Sequence, residues 1–200
     1  MCASQEVPMP TLPGRWHGRH SGRKRYKVKY RMPTDEMQQS QLDGVVINKG
    51  IKLRYYKFTD VFKGFENVDA VKKLFGKDTK RILSKLKVML FSSKWGYLWV
   101  DDRNMSIGCN YDYIKEADKR HVYLDVIHEL MHIKQGMEGR KLFNDNFEYV
   151  DSPTELEAYR EGVAEAKRIG MSDKEIIEYL KVDWVGERDF KRLLRALGMA

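Results

Sequence analysis

Cysteine is nearly missing from this chain, with only Cys2 and Cys109 among 200 residues. One stands at the start and the other in an apolar run, so their spacing suits neither a disulfide framework nor a cysteine-based metal site. No stretch approaches the roughly 20 apolar residues needed to cross a bilayer, and the first residues lack the apolar run of a secretory leader. These absences predict a cytoplasmic protein with no membrane partner. Carboxylates are scarce at one end only: residues 1–31 hold eight Lys and Arg against Glu6 alone, a net +7. The total is +8, so residues 32–200 net only +1. A near-neutral body excludes a uniformly basic DNA-binding core and assigns any attraction to nucleic acid to the arm, where Trp16, Tyr26 and Tyr30 can stack on bases.

Three of the five prolines, Pro8, Pro10 and Pro13, fall in residues 1–25, which have almost no apolar periodicity. Such a segment cannot offset the entropy of ordering, which predicts a mobile basic arm. At 42% hydrophobic and 12% aromatic, the chain has enough apolar material for one sizeable core, so residues 26–200 are expected to form a single domain. Short alternating pieces such as Tyr26–Tyr30 and Ile51–Tyr56, with Asp43-Gly44 and Lys49-Gly50 as turn signals, predict weak strands up to about Phe65. Val68, Val71, Leu74, Phe75, Ile82, Leu83 and Leu86 recur at helical spacing opposite a row of Lys and Arg, which predicts one basic amphipathic helix or two short ones.

Three apolar runs, Val88–Phe91, Tyr97–Val100 and Met105–Cys109, predict a small three-stranded sheet. A helix from about Lys119 to Gln135 ends at Gly136. Another opens at Ser152-Pro153 and stops at Gly170, a Ser172/Glu175 capping box starts a third, and Glu187–Leu197 reads as a fourth. Strands and helices are segregated along the chain, and the predicted class is α+β.

His128-Glu129-Leu130-Met131-His132 carries the strongest chemical signal. Two imidazoles four residues apart on a helix lie about 40° apart around its axis and can meet one cation. An open catalytic zinc site takes three protein ligands, and no histidine follows the motif: the five are His17, His20, His121, His128 and His132. The third ligand should therefore be a downstream carboxylate. Glu155 shares a face with Ala158, Tyr159, Gly162, Val163 and Ala166, whose small members would let its helix approach closely. Glu157 lies about 200° round, beside Glu161 and Glu165 on a side expected to face water. Glu155 is thus the preferred ligand, although Ser152-x-x-Glu155 also fits a capping box whose Glu serves only the helix start. His121 and the arm histidines read as surface residues, and Cys109 as a buried strand residue.

One zinc per chain would acidify a water and polarise a peptide carbonyl, with Glu129 as general base toward a peptide or protein substrate. The strand at Met105–Cys109 could offer its edge to an extended peptide, and Tyr159 could contact a ligand from outside or donate to an oxyanion. The motif helix, the preceding sheet and the Glu155-Leu-Glu-Ala158 helix together resemble a gluzincin zinc metallopeptidase, most of all the soluble minigluzincins of archaea. The likeness covers roughly residues 70–170, with C-terminal helices from 171 to 200 beyond it. It implies a zincin-like fold, metal ligands His128, His132 and Glu155, and catalytic Glu129. The chain departs from many gluzincins at Tyr159, where they place an Asp. The ImmA/IrrE regulatory proteases share the Glu-x-x-Ala pattern. A zinc-stabilised protein without activity is the other reading of the same ligands, less favoured because a purely structural site needs no general base.

Overall fold

The computed structural model describes residues 42–93, 96–142, 144 and 146–200; the expected arm and the expected strand at Tyr26–Tyr30 lie outside them. Strands β1 (Val46–Ile47), β2 (Tyr55–Lys57), β3 (Phe62–Lys63), β4 (Lys87–Phe91), β5 (Leu98–Asp101) and β6 (Ser106–Asn110) form two sheets. One is the antiparallel pair β1–β3, and the other has four strands in the order β2-β4-β6-β5. Asp43 and Gly44 both have positive φ, 53° and 72°, and the Val45 N–H donates to the Leu42 carbonyl at 2.9 Å. That left-handed pair is the backbone of a primed turn, which Gly adopts without strain.

The described helices are α1 (Phe58–Val61), α2 (Asp69–Phe75), α3 (Thr79–Lys85), α4 (Tyr111–Glu116), α5 (Lys119–Met137), α6 (Pro153–Arg168), α7 (Asp173–Leu180) and α8 (Glu187–Ala196). A small sheet and several helices make the protein mixed α and β, in agreement with α+β. Among the described residues no helix is long and apolar enough to cross a membrane.

The sheet has four strands rather than the three expected, because Tyr55–Lys57 pairs antiparallel with β4. The strand falls at the end of the alternating piece Ile51–Tyr56, and its own residues do not say which strand it joins. Along β4, β5 and β6, Val88, Leu90, Val100, Ile107 and Cys109 point to one face and are buried. This face joins the core that α5 enters through Val122, Leu124, Val126, Ile127 and Leu130. A second packing centre, Phe58, Phe62, Phe65 and Tyr123, has ring centroids 5.3–6.1 Å apart and no solvent exposure. Each such ring contributes about 1.5–3 kcal/mol by burial, which fixes the residue 58–65 segment against the N-terminal part of α5 at Tyr123.

Strand β6 lies inside the sheet, parallel to β4 and antiparallel to β5. Both of its ladders are occupied, so it cannot offer an edge to a peptide as expected, and the free edge on that side belongs to β5. Gly108 shows why β6 is tight: a Cβ there would meet the Trp99 indole at 2.3 Å. The motif helix also runs further than expected, through Gly136 to Met137, with Gly139 at φ 76° just beyond its end. Residues 68–87 form the pair of short helices α2 and α3, joined by a single turn of 3₁₀ helix at Gly76–Asp78.

Candidate metal centre

Helix α5 starts at Asp118, whose side chain accepts from the Arg120 N–H, and no residue within it breaks the backbone ladder. The ladder therefore holds His128 and His132 one turn apart, and their Nε2 atoms are 3.0 Å apart. Glu155 comes to the same point from the first turn of α6. Its Oε2 is 3.3 Å from His128 Nε2, and its Oε1 is 3.4 Å from His132 Nε2. Among the described residues these are the ones whose donor atoms stand close enough to hold a metal ion. All three are buried, and Glu155 Oε2 accepts no hydrogen bond despite being shut off from water. A buried oxygen without a donor is costly unless a cation or proton meets it.

The capping alternative for Glu155 does not form. The Ser152 side chain makes no cap bond to the helix, and its hydroxyl pairs instead with Thr154 Oγ1 at 2.9 Å. Glu157 points elsewhere, accepting from Gln135 Nε2 at 2.9 Å and from Arg140. Glu165, expected to face water, is buried at 4% exposure; Tyr123 and Arg168 both donate to it, and Arg168 also reaches Asp43 at 2.6 Å. A carboxylate with that many donors can be desolvated, which is why the polar side of α6 is not uniformly wet. Gly162 does not mediate a close helix approach, since a Cβ there would touch nothing within 4 Å. The tight point is Gly136 on α5, where a Cβ would meet the Met105 methyl at 2.6 Å.

Electrostatics tie the cluster together. Burial alone would depress His132, but the Glu155 carboxylate, helped by Glu129 and Gln135, raises it to about 9. Burial alone would raise Glu155, yet the two imidazoles hold it well below the usual carboxylate range. Burial keeps His128 below its ordinary value. Glu129 is 7% exposed, and burial pushes its carboxyl up to about 8 against the pull of His132 and of the nearby Val100 N–H. That N–H lies on the open edge of β5, because the Asn110 N–H donates to the Tyr97 carbonyl and sets Val100 out of the β5–β6 ladder. The edge strand therefore runs directly past Glu129.

Several groups around the ligands were not singled out from the sequence. Gln135 is fully buried, and its Oε1 lies 2.8 Å from His132 Nδ1 while its Nε2 donates to the Thr154 carbonyl at 3.0 Å. Accepting from Nδ1 fixes the tautomer that presents the Nε2 lone pair to a metal. Tyr159, which the sequence did single out, packs its ring against His128, centroids 4.7 Å apart, and its hydroxyl pairs with that of Tyr149 at 2.8 Å. Asp125, one turn before Glu129, accepts from the Tyr113 and Tyr179 hydroxyls, and burial lifts it to about 6. His121, expected at the surface, is half-buried against the Tyr179 ring. The signal for Gln135 is its i+3 spacing from His132 on the inner face of α5; Tyr149 lies in a 3₁₀ turn with no periodicity to expose it.

No protein-family model, curated protein or solved structure matches the chain.

Proposed function

We propose that the protein is a zinc-dependent metallopeptidase of gluzincin type, with His128, His132 and Glu155 as ligands and Glu129 as general base. The carrying observation is the spacing of the donor atoms. Bonds of about 2.0–2.1 Å to a tetrahedral zinc put neighbouring donors about 3.3 Å apart. The two imidazole Nε2 atoms are 3.0 Å apart, and each lies 3.3–3.4 Å from one of the two oxygens of the Glu155 carboxylate, which faces both of them. The set is two imidazoles and one carboxylate, the buried Glu155 Oε2 accepts no hydrogen bond and can meet a cation, and three protein ligands leave a fourth position for water, so the residues fit the metal.

When bound, zinc supplies a Lewis acid that lowers the pKa of water from 15.7 toward about 7 and polarises the scissile carbonyl. Glu129, one residue round from His128, takes the proton from water and returns it to the leaving amine. Burial raises its basicity toward the operating range, which suits a group that must both accept and release a proton. The open edge of β5 next to Glu129 can take an extended peptide as an added strand, replacing the role first given to β6. Gln135 holds His132 in its ligating tautomer, the task an Asp performs toward a zinc-bound His in many gluzincins. Tyr159 orients His128 by ring contact.

Two measurements test this reading. Purified protein should contain one zinc per chain and cleave members of a broad peptide library, with cleavage lost on chelation and restored by zinc. Absence of zinc would overturn the proposal, and zinc without cleavage would leave a zinc-stabilised binding protein. Gln135→Leu should weaken zinc affinity about 10- to 100-fold, as losses of such outer partners generally do, read by competition with a chromophoric chelator. An unchanged affinity would remove Gln135 from the site's support.

A further inference from the structure

The outer face of the four-stranded sheet, opposite the core, carries a row of aromatic side chains beside an uncompensated pair of lysines. Register places Tyr55 on β2, Met89 on β4, Gly108 on β6 and Trp99 on β5 in one line across the sheet. At about 4.8 Å per strand the line spans roughly 14 Å. Tyr55 is 53% exposed, and Phe91 lies against Trp99 with centroids 4.4 Å apart. Because Gly108 has no side chain, the half-buried Trp99 indole closes directly onto it, where a Cβ would meet the ring at 2.3 Å.

The next line on this face starts with Lys57 opposite Lys87. The Leu90 N–H donates to the Arg54 carbonyl and the Phe58 N–H to the Leu86 carbonyl, which makes Lys57–Lys87 a non-hydrogen-bonded pair, the kind with the closest side chains. Like charges directly opposite one another are destabilising. Both lysines are exposed, and neither pairs with a carboxylate among the described residues. Asp101, at the far end of that line, is two strands away, and its carboxylate accepts from the backbone of Arg103 and from Asn104. Protection of an edge explains a lysine on β2 but not its partner on β4, an interior strand.

We propose that this face binds single-stranded nucleic acid, with bases stacked on Tyr55 and the Trp99–Phe91 pair and phosphates held by Lys57 and Lys87. Flat rings on an open sheet take two or three bases whatever their sequence, and lysines beside them follow the backbone. Aromatic side chains also anchor protein interfaces, so an acidic protein is the competing occupant, and failure to bind the oligonucleotide would favour it. The chain's own residues 1–31, at net +7, carry the wrong charge for this face. The assignment is independent of the metal site.

The test uses the full chain and a fluorescent 12-nucleotide oligothymidylate, with anisotropy followed from low to moderate salt. Wild-type binding should weaken steeply as salt rises. Lys57→Glu/Lys87→Glu should reduce affinity at least tenfold, and Tyr55→Ala several-fold. Lys57→Glu alone turns the repulsive pair into an opposite-charge one, so its melting temperature should stay the same or rise by up to about 4 °C while oligonucleotide binding falls. That opposition separates a binding face from a folding defect. Heparin serves as the control: Tyr55→Ala should leave heparin binding unchanged. Equal loss toward heparin and oligonucleotide would reduce the face to a general polyanion surface and overturn the proposal, as would oligonucleotide binding that all three variants leave intact.

Discussion

Glu129→Gln is expected to keep one zinc per chain and a wild-type melting temperature while losing peptide hydrolysis by about 10²- to 10⁴-fold, the usual worth of a positioned general base. The amide has the shape of the carboxyl and can take the same place beside the Val100 N–H, but it cannot take a proton from water. Its introduction removes a group that burial already holds near neutrality, so no stability should be lost. Metal content, a thermal melt and turnover of one cleavable peptide on the same preparation decide the matter. Undiminished turnover would exclude Glu129 as the base. A fall in zinc content would place it among the ligands.

Glu155→Ala should abolish stoichiometric zinc, with a loss of affinity beyond the roughly 100-fold that marks the upper end for outer partners. Glu157→Ala should retain the metal, with any weakening confined to the smaller effect of loosening Gln135. The contrast follows from geometry: Glu155 reaches both imidazoles, whereas Glu157 is held by Gln135 and Arg140. Removing Glu155 should also release His132 from the carboxylate that keeps it protonated in the metal-free protein. Equilibrium dialysis against graded zinc, with the metal quantified, reads the difference. Zinc loss in Glu157→Ala with retention in Glu155→Ala would move the third ligand by two residues.

The parts of this arrangement legible in the sequence are those set by helical periodicity. The i,i+4 imidazoles follow from 3.6 residues per turn, and the inward face of α6 followed from the clustering of Ala158, Tyr159 and Val163 with Glu155. Hidden from that reasoning were features decided by a partner far along the chain. Strand β2 joins the larger sheet because β4 lies beside it, and β6 is interior because two strands flank it, and in neither case do a strand's own residues reveal its neighbours. Glu165 reads as a surface acid until Tyr123 and Arg168 are brought to it. Gln135 reads as one more polar residue near a helix end until its amide is seen to touch His132, Thr154 and Glu157.

The Gln135 amide also bears on how such a centre could vary during evolution. It links the helix bearing the histidines directly to the opening turn of the helix bearing Glu155, and Thr154 Oγ1 donates to the Leu142 carbonyl beside the same junction. The relative placement of the donors is therefore set by side-chain bridges across the two helices, not by the number of residues between them. Changes of length in the connection after Leu142 that keep Tyr149 against Tyr159 should then leave the donor atoms in place. A sequence signature for this kind of centre should accordingly leave the gap between the second histidine and the glutamate open, and ask instead for a glutamine three residues after that histidine.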